Sequence, residues 1–298
     1  MTDAFTARAG VWLSAARPRT LVASVAPVSI GTCLAWRDAG EVSPVVVGLC
    51  FAFGILCQIG SNFANDYYDH LKGADAKRVL GPARAVASGV VSPLVMRRAT
   101  YGVLGVAFFV GLALMRTCGA GWPFLLVGVS CVTCAVAYTA GPRPIAYVGL
   151  GDICVVLFFG LVATGGTHYS LVLAAGKEWT PSPWAGVCIG LMANNLLLVN
   201  NHRDAEEDAA CGKRTTVVLF GRGFGVWAYL LGSAVALSAG AWADAGLRYV
   251  VCLAPASLWL GFKLSKANDR RDYGRLLGGS AVMVAAFACL AVAGLLTG

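Results

Sequence analysis

The sequence contains few charged residues, and acidic residues are the scarcest of them. Charged residues make up 13% of its 298 positions, hydrophobic residues make up 58%, and 15 positions are Asp or Glu. Soluble domains carry about 25% charged residues, so this deficit excludes an ordinary water-soluble domain and predicts an integral membrane protein. A bundle in a bilayer needs no aqueous core, so chain length does not set the number of domains. We expect one membrane domain over residues 1–298.

Two further signals are missing from the sequence. Residues 1–19 are polar and include Arg8, Arg17 and Arg19, so we expect no cleavable signal peptide. The eleven cysteines are scattered, mostly within apolar segments, where a buried thiol acts as a small hydrophobe. Cys131 and Cys134 form a C-x-x-C pattern without a second pair or a nearby His. This isolation argues against a metal or redox site there.

Long apolar runs occupy most of the chain. A transmembrane helix needs about 20 apolar residues, and Pro27 interrupts the first qualifying run, which predicts a short and kinked or tilted helix. The sequence therefore predicts an all-α polytopic membrane protein with nine transmembrane helices. They are expected at about 21–36, 45–64, 100–116, 122–140, 148–167, 184–201, 224–242, 246–264 and 276–296.

Lys and Arg residues are distributed unequally between the two ends of these spans. Of the 23, all but Arg37, Arg116, Lys177 and Arg248 fall on the side that holds the N-terminus and the connections after the even-numbered spans. The positive-inside rule makes that side cytoplasmic. We therefore expect a cytoplasmic N-terminus and an external C-terminus. This topology accounts for the net charge of +8 and requires no nucleic-acid partner.

Nearly half of the acidic residues lie in two short clusters at the ends of apolar spans. The first cluster runs over residues 62–69 and continues to Asp75, and the second runs over residues 200–208. Both fall on the cytoplasmic side, so they are candidates for one shared site in Asp-rich loops. Helical residues three or four apart share a face. We expect two facing stripes, formed by Asn62, Asp66 and Asp69 with Asn65 beside them, and by Asn201, Asp204 and Asp208.

Facing stripes of Asn and Asp suit Mg²⁺, which prefers oxygen ligands and keeps positions open for substrate phosphates. Basic residues follow both clusters, and Arg and Lys are the side chains that bind phosphate. Metal and cations around a diphosphate promote cleavage of an allylic C–O bond, while an apolar pocket keeps the carbocation from water. The predicted metal-binding and catalytic residues are Asp66, Asp69, Asp204 and Asp208, with Lys72, Arg84 and Lys213 as diphosphate-binding candidates.

The motifs Asn65-Asp66-x-x-Asp69 and Asp204-x-x-x-Asp208 resemble those of the UbiA superfamily of intramembrane aromatic prenyltransferases. Within that superfamily, five segments are similar to the 1,4-dihydroxy-2-naphthoate polyprenyltransferases of menaquinone biosynthesis. These segments are residues 17–21, 65–75, 81–85, 138–152 and 200–215.

The resemblance implies nine transmembrane helices around a central lipid-open cavity, and dependence on Mg²⁺. It implies transfer of a polyprenyl chain from polyprenyl diphosphate to 1,4-dihydroxy-2-naphthoate, with loss of the ring carboxylate, giving demethylmenaquinone. It also favours a prokaryotic plasma membrane. Asp152 is expected near the site, and His168 near the opposite face. The implied diphosphate- or carboxylate-binding residues are Asn62, Asn65, Lys72, Arg84, Arg143, Asn201 and Lys213.

One departure and several alternatives remain at this point. Many superfamily members carry a third Asp in the first motif, where this chain has Gly73 and then Asp75. The acceptor could instead be homogentisate, 4-hydroxybenzoate, haem or a chlorophyll precursor. An ion-coupled transporter would place its acids near the bilayer midplane, whereas these clusters lie at the span ends. A non-catalytic quinone-binding protein does not explain paired acidic clusters beside phosphate-binding cations.

Overall fold

The computed structural model describes residues 10–74, 80–81 and 84–297, and the regular elements in these ranges are helices. Eight helices are long and apolar enough to cross a membrane, and α4 is apolar but has only 16 residues. This confirms the all-α membrane architecture. In chain order the helices are α1 (Pro18–Ala39), α2 (Pro44–Leu71), α3 (Pro93–Cys118), α4 (Trp122–Ala137), α5 (Gly151–Ala174), α6 (Pro183–Arg203), α7 (Ala205–Ala210), α8 (Thr216–Phe220), α9 (Arg222–Ala243), α10 (Ala245–Ser265) and α11 (Arg270–Thr297).

Proline and serine define where several of these helices begin. Helices α1, α2, α3, α4 and α6 carry Pro in their first turn, where its missing N–H and fixed φ angle are favourable. Ser43 and Ser92 cap α2 and α3 by accepting hydrogen bonds from backbone N–H groups of the first turn. Such caps satisfy donors that lack a partner within the helix.

Several helices are longer than their apolar runs suggested. Helix α1 continues unbroken past Pro27, so the expected short first span is wrong. Helix α2 continues to Leu71 and carries residues 62–69 in its last turns, so the first acidic cluster is helical and not a loop. The polar side chains there are buried and hydrogen-bonded, which allows the helix to continue beyond the apolar segment.

Helix α6 lies at the centre of the bundle. It packs against α1, α9 and α11 to form the largest apolar core, and against the middle of α5. That part of α5, Val156–Val162, is a π-helix. A Cβ atom on Gly160 would lie 2.5 Å from the carbonyl oxygen of Gly186 and 2.9 Å from the Cα of Gly190. Glycine therefore permits the backbones of α5 and α6 to touch.

A polar network connects the helices at the end of the bundle opposite the acidic clusters. His168 Nε2 lies 2.9 Å from Asp38 Oδ2, and Trp179 Nε1 donates to His168 Nδ1 at 3.1 Å. Arg37 pairs with Asp244 at 2.7 Å. His168 is about 24 Å along α5 from Asp152 at 1.5 Å per residue. These contacts support the expectation that His168 lies far from the acidic clusters.

Candidate active site

Two cavities meet at one end of the bundle. The polar cavity, of about 430 Å³, lies between the start of α1, the ends of α2 and α6, and the starts of α5 and α11. The apolar cavity, of about 160 Å³, lies among α1 to α5 and is lined by Phe53, Phe108, Phe158 and Phe159. Tyr138 lines both cavities. A ligand with a charged head and an apolar tail would therefore cross from one to the other at Tyr138.

Residues from both acidic clusters line the polar cavity. Helix α2 contributes Asn65 and Asp69, and the chain from the end of α6 through α7 contributes Asn201, Asp204 and Asp208. Of these, all except Asn65 are buried. The fold therefore brings together two clusters that are more than 130 residues apart in the sequence.

Tyr147 connects the first cluster to two lysines. Its hydroxyl donates to Asp69 Oδ1 at 2.9 Å. The Lys72 and Lys213 ammonium groups lie 4.5 and 5.8 Å from the centre of its ring, within the range of a cation–π attraction. Burial and the nearby Asp69 raise the pKa of Tyr147, so its hydroxyl remains a hydrogen-bond donor.

Lys72 bridges α2 and the segment that follows α4. Its ammonium group donates to the Thr139 carbonyl at 2.6 Å. Burial lowers the pKa of Lys72, and the negative charge of Asp69 opposes that shift. Lys72 does not itself line the polar cavity, and its ammonium group lies over the Tyr147 ring.

Asp208 and Lys213 form an ion pair on the other wall. Their charged groups are 3.2 Å apart. Burial raises the pKa of Asp208 to about 6 even though Lys213 opposes the shift. Burial alone would lower the pKa of Lys213, but the charges of Asp208, Asp69 and Asp204 outweigh it and raise that pKa. The wall therefore holds a firmly protonated lysine beside a carboxylate whose charge is poorly stabilised.

Arg203 is a site residue that the sequence reasoning did not single out. Its guanidinium donates to both Asp204 carboxylate oxygens, at 2.5 and 2.7 Å, in the two-pronged geometry that makes Arg–carboxylate pairs strong. Arg203 is buried and lines the polar cavity. Its position directly before Asp204 in the Asn-x-Arg-Asp segment was the available signal.

The expected stripe on α2 is split between two environments. Asn65 and Asp69 face the polar cavity. Asp66 accepts hydrogen bonds from the backbone N–H groups of Ala85 and Val86, both at 3.1 Å. It lines a separate cavity of about 300 Å³. Adjacent residues on an α-helix point about 100° apart, so Asn65 and Asp66 lie at the two edges of this face and meet different neighbours. The expectation that all four residues face one neighbour is therefore wrong.

The remaining predicted residues occupy different positions. Asn62 donates to the Ala16 carbonyl at 2.8 Å and to Thr20 at 3.2 Å, which fixes α2 to the start of α1. Arg84 lines both the polar cavity and the cavity beside Asp66. Arg143 is exposed and lines none of the three cavities. Asp75 lies outside the described residues, so its role stays a prediction.

The donor atoms of the polar cavity fit a divalent cation. Asn65 Oδ1 and Asp208 Oδ2 are buried acceptors without a hydrogen-bond partner among the described residues. An unpartnered buried acceptor is costly, and a hard cation with oxygen ligands would satisfy both. In the described ranges no three His, Cys, Asp or Glu side chains form a metal cluster. Mg²⁺ often uses only one or two carboxylates together with substrate phosphates, so the two observations agree.

Comparison with known proteins identifies the family. The family model described as "UbiA prenyltransferase family" matches residues 24–277. The chain belongs to the UbiA prenyltransferase family. The fold agrees with this membership, since a UbiA homolog from Archaeoglobus fulgidus bound to GPP and Mg²⁺ matches with a TM-score of 0.68. That match has 15% sequence identity and covers 96% of this chain and 99% of that chain.

Bacterial UbiA-family relatives share a larger part of the sequence. A 1,4-dihydroxy-2-naphthoate octaprenyltransferase from Escherichia coli strain K12 is 37% identical over 74% of this chain and 72% of its own length. The protein of the same name from Haemophilus influenzae is 36% identical over 71% of this chain and 69% of its own length. A relative of that name from Mycobacterium tuberculosis is 37% identical over 70% of each chain.

Proposed function

We propose that this UbiA-family protein transfers a polyprenyl chain from polyprenyl diphosphate to 1,4-dihydroxy-2-naphthoate. The ring carboxylate is lost as CO₂ and the product is demethylmenaquinone in its reduced, quinol form. The observation that carries the proposal is the junction at Tyr138, where a cavity with cations and unpartnered oxygen ligands meets an aromatic-lined apolar cavity. The relatives named 1,4-dihydroxy-2-naphthoate octaprenyltransferase support the choice of acceptor.

The donor diphosphate would occupy the polar cavity with Mg²⁺. We propose that Asp69, Asp208 and Asn65 hold the metal directly, because all three line the cavity. Asn65 and Asp208 also each have a buried oxygen without a hydrogen-bond partner among the described residues. Asp204 adds negative charge but is already paired with Arg203. Asp66 contributes indirectly, because its carboxylate holds the backbone of residues 85–86, which directly follow Arg84. When bound, Mg²⁺ neutralises the diphosphate and makes it a better leaving group.

Cationic side chains complete the diphosphate site. Lys213 and Arg84 line the polar cavity and are positioned for the phosphate oxygens. Asn201 lies on the same wall as a further hydrogen-bonding group. Charges that are fixed before the reaction stabilise the departing diphosphate without reorganisation. Lys72 adds positive charge from its place over the Tyr147 ring, whereas the exposed position of Arg143 gives no support for a role in the site.

The prenyl chain would extend into the apolar cavity. Its aromatic rings exclude water, and their faces attract positive charge. Tyr138 stands where the C–O bond of the donor would break. Burial and the nearby carboxylates raise the pKa of Tyr138, so this residue presents a neutral ring and hydroxyl to the carbocation.

We also propose nine transmembrane spans, with α4 as the short fourth span. Its 16 residues reach about 24 Å, slightly less than the hydrocarbon thickness of about 30 Å. Alternation of nine spans puts the N-terminus and both acidic clusters on one side and the C-terminus on the other, and the positive-inside rule makes the first side cytoplasmic. The bacterial relatives favour a prokaryotic plasma membrane.

The proposed function is tested by an acceptor panel with the purified protein. Polyprenyl diphosphate and Mg²⁺ are supplied with 1,4-dihydroxy-2-naphthoate, homogentisate or 4-hydroxybenzoate, and products are identified by mass spectrometry. Only the naphthoate should be prenylated efficiently, and a chelator should abolish the product. Preference for another acceptor would reject the acceptor assignment, and absence of any prenylated product would reject prenyl transfer itself.

A further inference from the structure

Asp152 is the acidic residue of the polar cavity, among the described residues, that belongs to neither cluster. It lies in the first turn of α5 and lines the cavity. The Tyr138 hydroxyl is close by, since a Cβ atom on the preceding Gly151 would lie 2.9 Å from it. Asp152 therefore lies near the junction of the two cavities, where the carbon of the donor would react.

Two neutral side chains hold the Asp152 carboxylate. Its Oδ1 accepts a hydrogen bond from Asn194 Nδ2 at 3.0 Å, and its Oδ2 accepts one from Thr216 Oγ1 at 2.7 Å. A carboxylate offers about four acceptor positions, so these bonds leave further acceptor capacity. The Asn194 Oδ1 atom is also buried without a partner among the described residues. Asn194 itself does not line the polar cavity, so the free acceptor positions of Asp152 are the ones that a ligand hydroxyl would satisfy.

The charge of Asp152 is not neutralised in the way that the cluster acids are. Asp204 is paired with Arg203 and Asp208 with Lys213, whereas the described residues provide no ion pair to Asp152. Asp152 does not join Asp69 and Asp208 in a three-carboxylate metal cluster within the described ranges.

The walls near Asp152 suit a flat aromatic ring. Leu197 lies beside Gly151 and lines the same cavity, so it offers apolar surface there, and Gly151 has no side chain to block the approach. A ring placed there would have one edge at Asp152 and one of its faces toward the donor carbon at Tyr138. The acceptor would then lie between the carboxylate and the electrophile.

We propose that Asp152 binds the ring hydroxyl next to the acceptor carboxylate and carries its proton through the reaction. This inference rests on the proposed function and adds to it the residue that activates the acceptor. A carboxylate within hydrogen-bonding distance of the hydroxyl acts as a general base as the ring becomes a nucleophile.

The electron pairs and the proton balance through the reaction. The allylic C–O bond breaks and its electron pair leaves with the diphosphate. The ring carbon that bears the carboxylate forms the new C–C bond, the hydroxyl proton passes to Asp152, and the hydroxyl oxygen becomes a carbonyl. The resulting β-keto acid loses CO₂, and the released electron pair restores the aromatic ring. The proton then returns from Asp152 to the ring oxygen.

The first test is Asp152→Asn in the full-length protein, with Glu178→Gln as a matched carboxylate-to-amide control. Glu178 is exposed in the connection after α5, at the other end of that helix. Asp152→Asn should lower prenyl transfer by about 100-fold or more, with the KM for polyprenyl diphosphate nearly unchanged. Glu178→Gln should behave as the unmodified protein. Transfer by Asp152→Asn within about threefold of the unmodified rate would overturn the inference.

The second test separates activation of the acceptor from a structural role. An acceptor whose adjacent hydroxyl is methylated cannot give up that proton, so the unmodified protein should prenylate it poorly. In Asp152→Asn the methylation should cause little additional loss, because the proton transfer is already absent. If methylation lowers both rates by the same factor, Asp152 does not act on that hydroxyl. An unmodified protein that prenylates no naphthoate at all would instead reject the proposed function.

Discussion

Two buried oxygen atoms, Asn65 Oδ1 and Asp208 Oδ2, define the site at the scale of single residues. Neither has a hydrogen-bond partner among the described residues, and both lie in the cavity that receives Asp69 and Lys213. The sequence predicted that these residues lie together, because the distribution of Lys and Arg placed both acid-bearing helix ends on the same side of the membrane. It did not predict the side to which Asp66 turns, since helical spacing does not reveal which neighbour each face meets.

The pH dependence of metal binding follows from Asp208. Its carboxyl group has a pKa raised to about 6 by burial, so it is protonated below that value and must lose a proton to bind a cation. Mg²⁺ affinity should be constant above this pKa and should fall toward about tenfold per pH unit below it. Calorimetric titrations with Mg²⁺ between about pH 5 and pH 8 would measure this.

Asp208→Asn provides the matched comparison for that titration. The amide has nearly the same size but no proton to lose in this range. It should bind Mg²⁺ weakly and without the slope below the pKa of Asp208. An unmodified protein whose affinity does not change between about pH 5 and pH 7 would contradict the assignment.

Asp66 should behave differently from Asp208 when it is replaced. Its carboxylate holds the backbone N–H groups of Ala85 and Val86, so Asp66→Ala should increase hydrogen exchange at residues 84–89. Donor KM should rise about tenfold, because loss of hydrogen bonds to a charged group costs about 1.5–3 kcal/mol and Arg84 is less well positioned. Mg²⁺ affinity measured without the donor should change little. A loss of Mg²⁺ affinity as large as that of Asp208→Asn would instead identify Asp66 as a direct ligand.

At the scale of elements, close contact between α5 and α6 positions the polar residues at their ends. Apolar runs predicted both helices, because length and hydrophobicity suffice to identify a span. They did not predict the π-helix at Val156–Val162, which depends on how the α5 backbone meets α6. The contact is made through Gly160, Gly186 and Gly190, and the sequence does not distinguish these three from the rest of the chain's 37 glycines.

Gly160→Ala should destabilise the protein through this contact. The added Cβ would lie 2.5 Å from the Gly186 carbonyl oxygen, and forcing extra atoms into a packed interior costs about 1–3 kcal/mol. Gly165→Ala in the same helix is the matched control, because nothing lies within 4 Å of its added Cβ. Thermal unfolding in detergent should show a lower Tm for Gly160→Ala only. Equal Tm values for the two variants would show that the helices tolerate separation.

At the scale of the whole molecule, the arrangement of the two cavities agrees with the unequal distribution of Lys and Arg between the two ends of the predicted spans. The ends of α2 and α6 and the starts of α1, α5 and α11 surround the polar cavity, and these are the ends that the positive-inside rule assigns to the cytoplasm. The membrane location could be predicted from composition. The position of Asp152 relative to Tyr138 could not, because it depends on packing between elements.

Single cysteines should report this topology. In a variant whose native cysteines are replaced, Glu206→Cys lies within the second acidic cluster and Lys177→Cys lies in the connection after α5, and both positions are exposed. A membrane-impermeant maleimide added to intact cells should label Lys177→Cys and not Glu206→Cys. Labelling of Glu206→Cys in intact cells would place the site on the wrong side of the membrane.

The most direct measurement of the central claim uses 1,4-dihydroxy-2-naphthoate labelled in its carboxyl group. Purified protein with polyprenyl diphosphate and Mg²⁺ should release one labelled CO₂ for each prenylated naphthalene ring formed. Both products should disappear on chelation and in Asp208→Asn. Prenylated product that retains the label, or product formation that survives both chelation and Asp208→Asn, would contradict metal-assisted prenyl transfer with decarboxylation at this site.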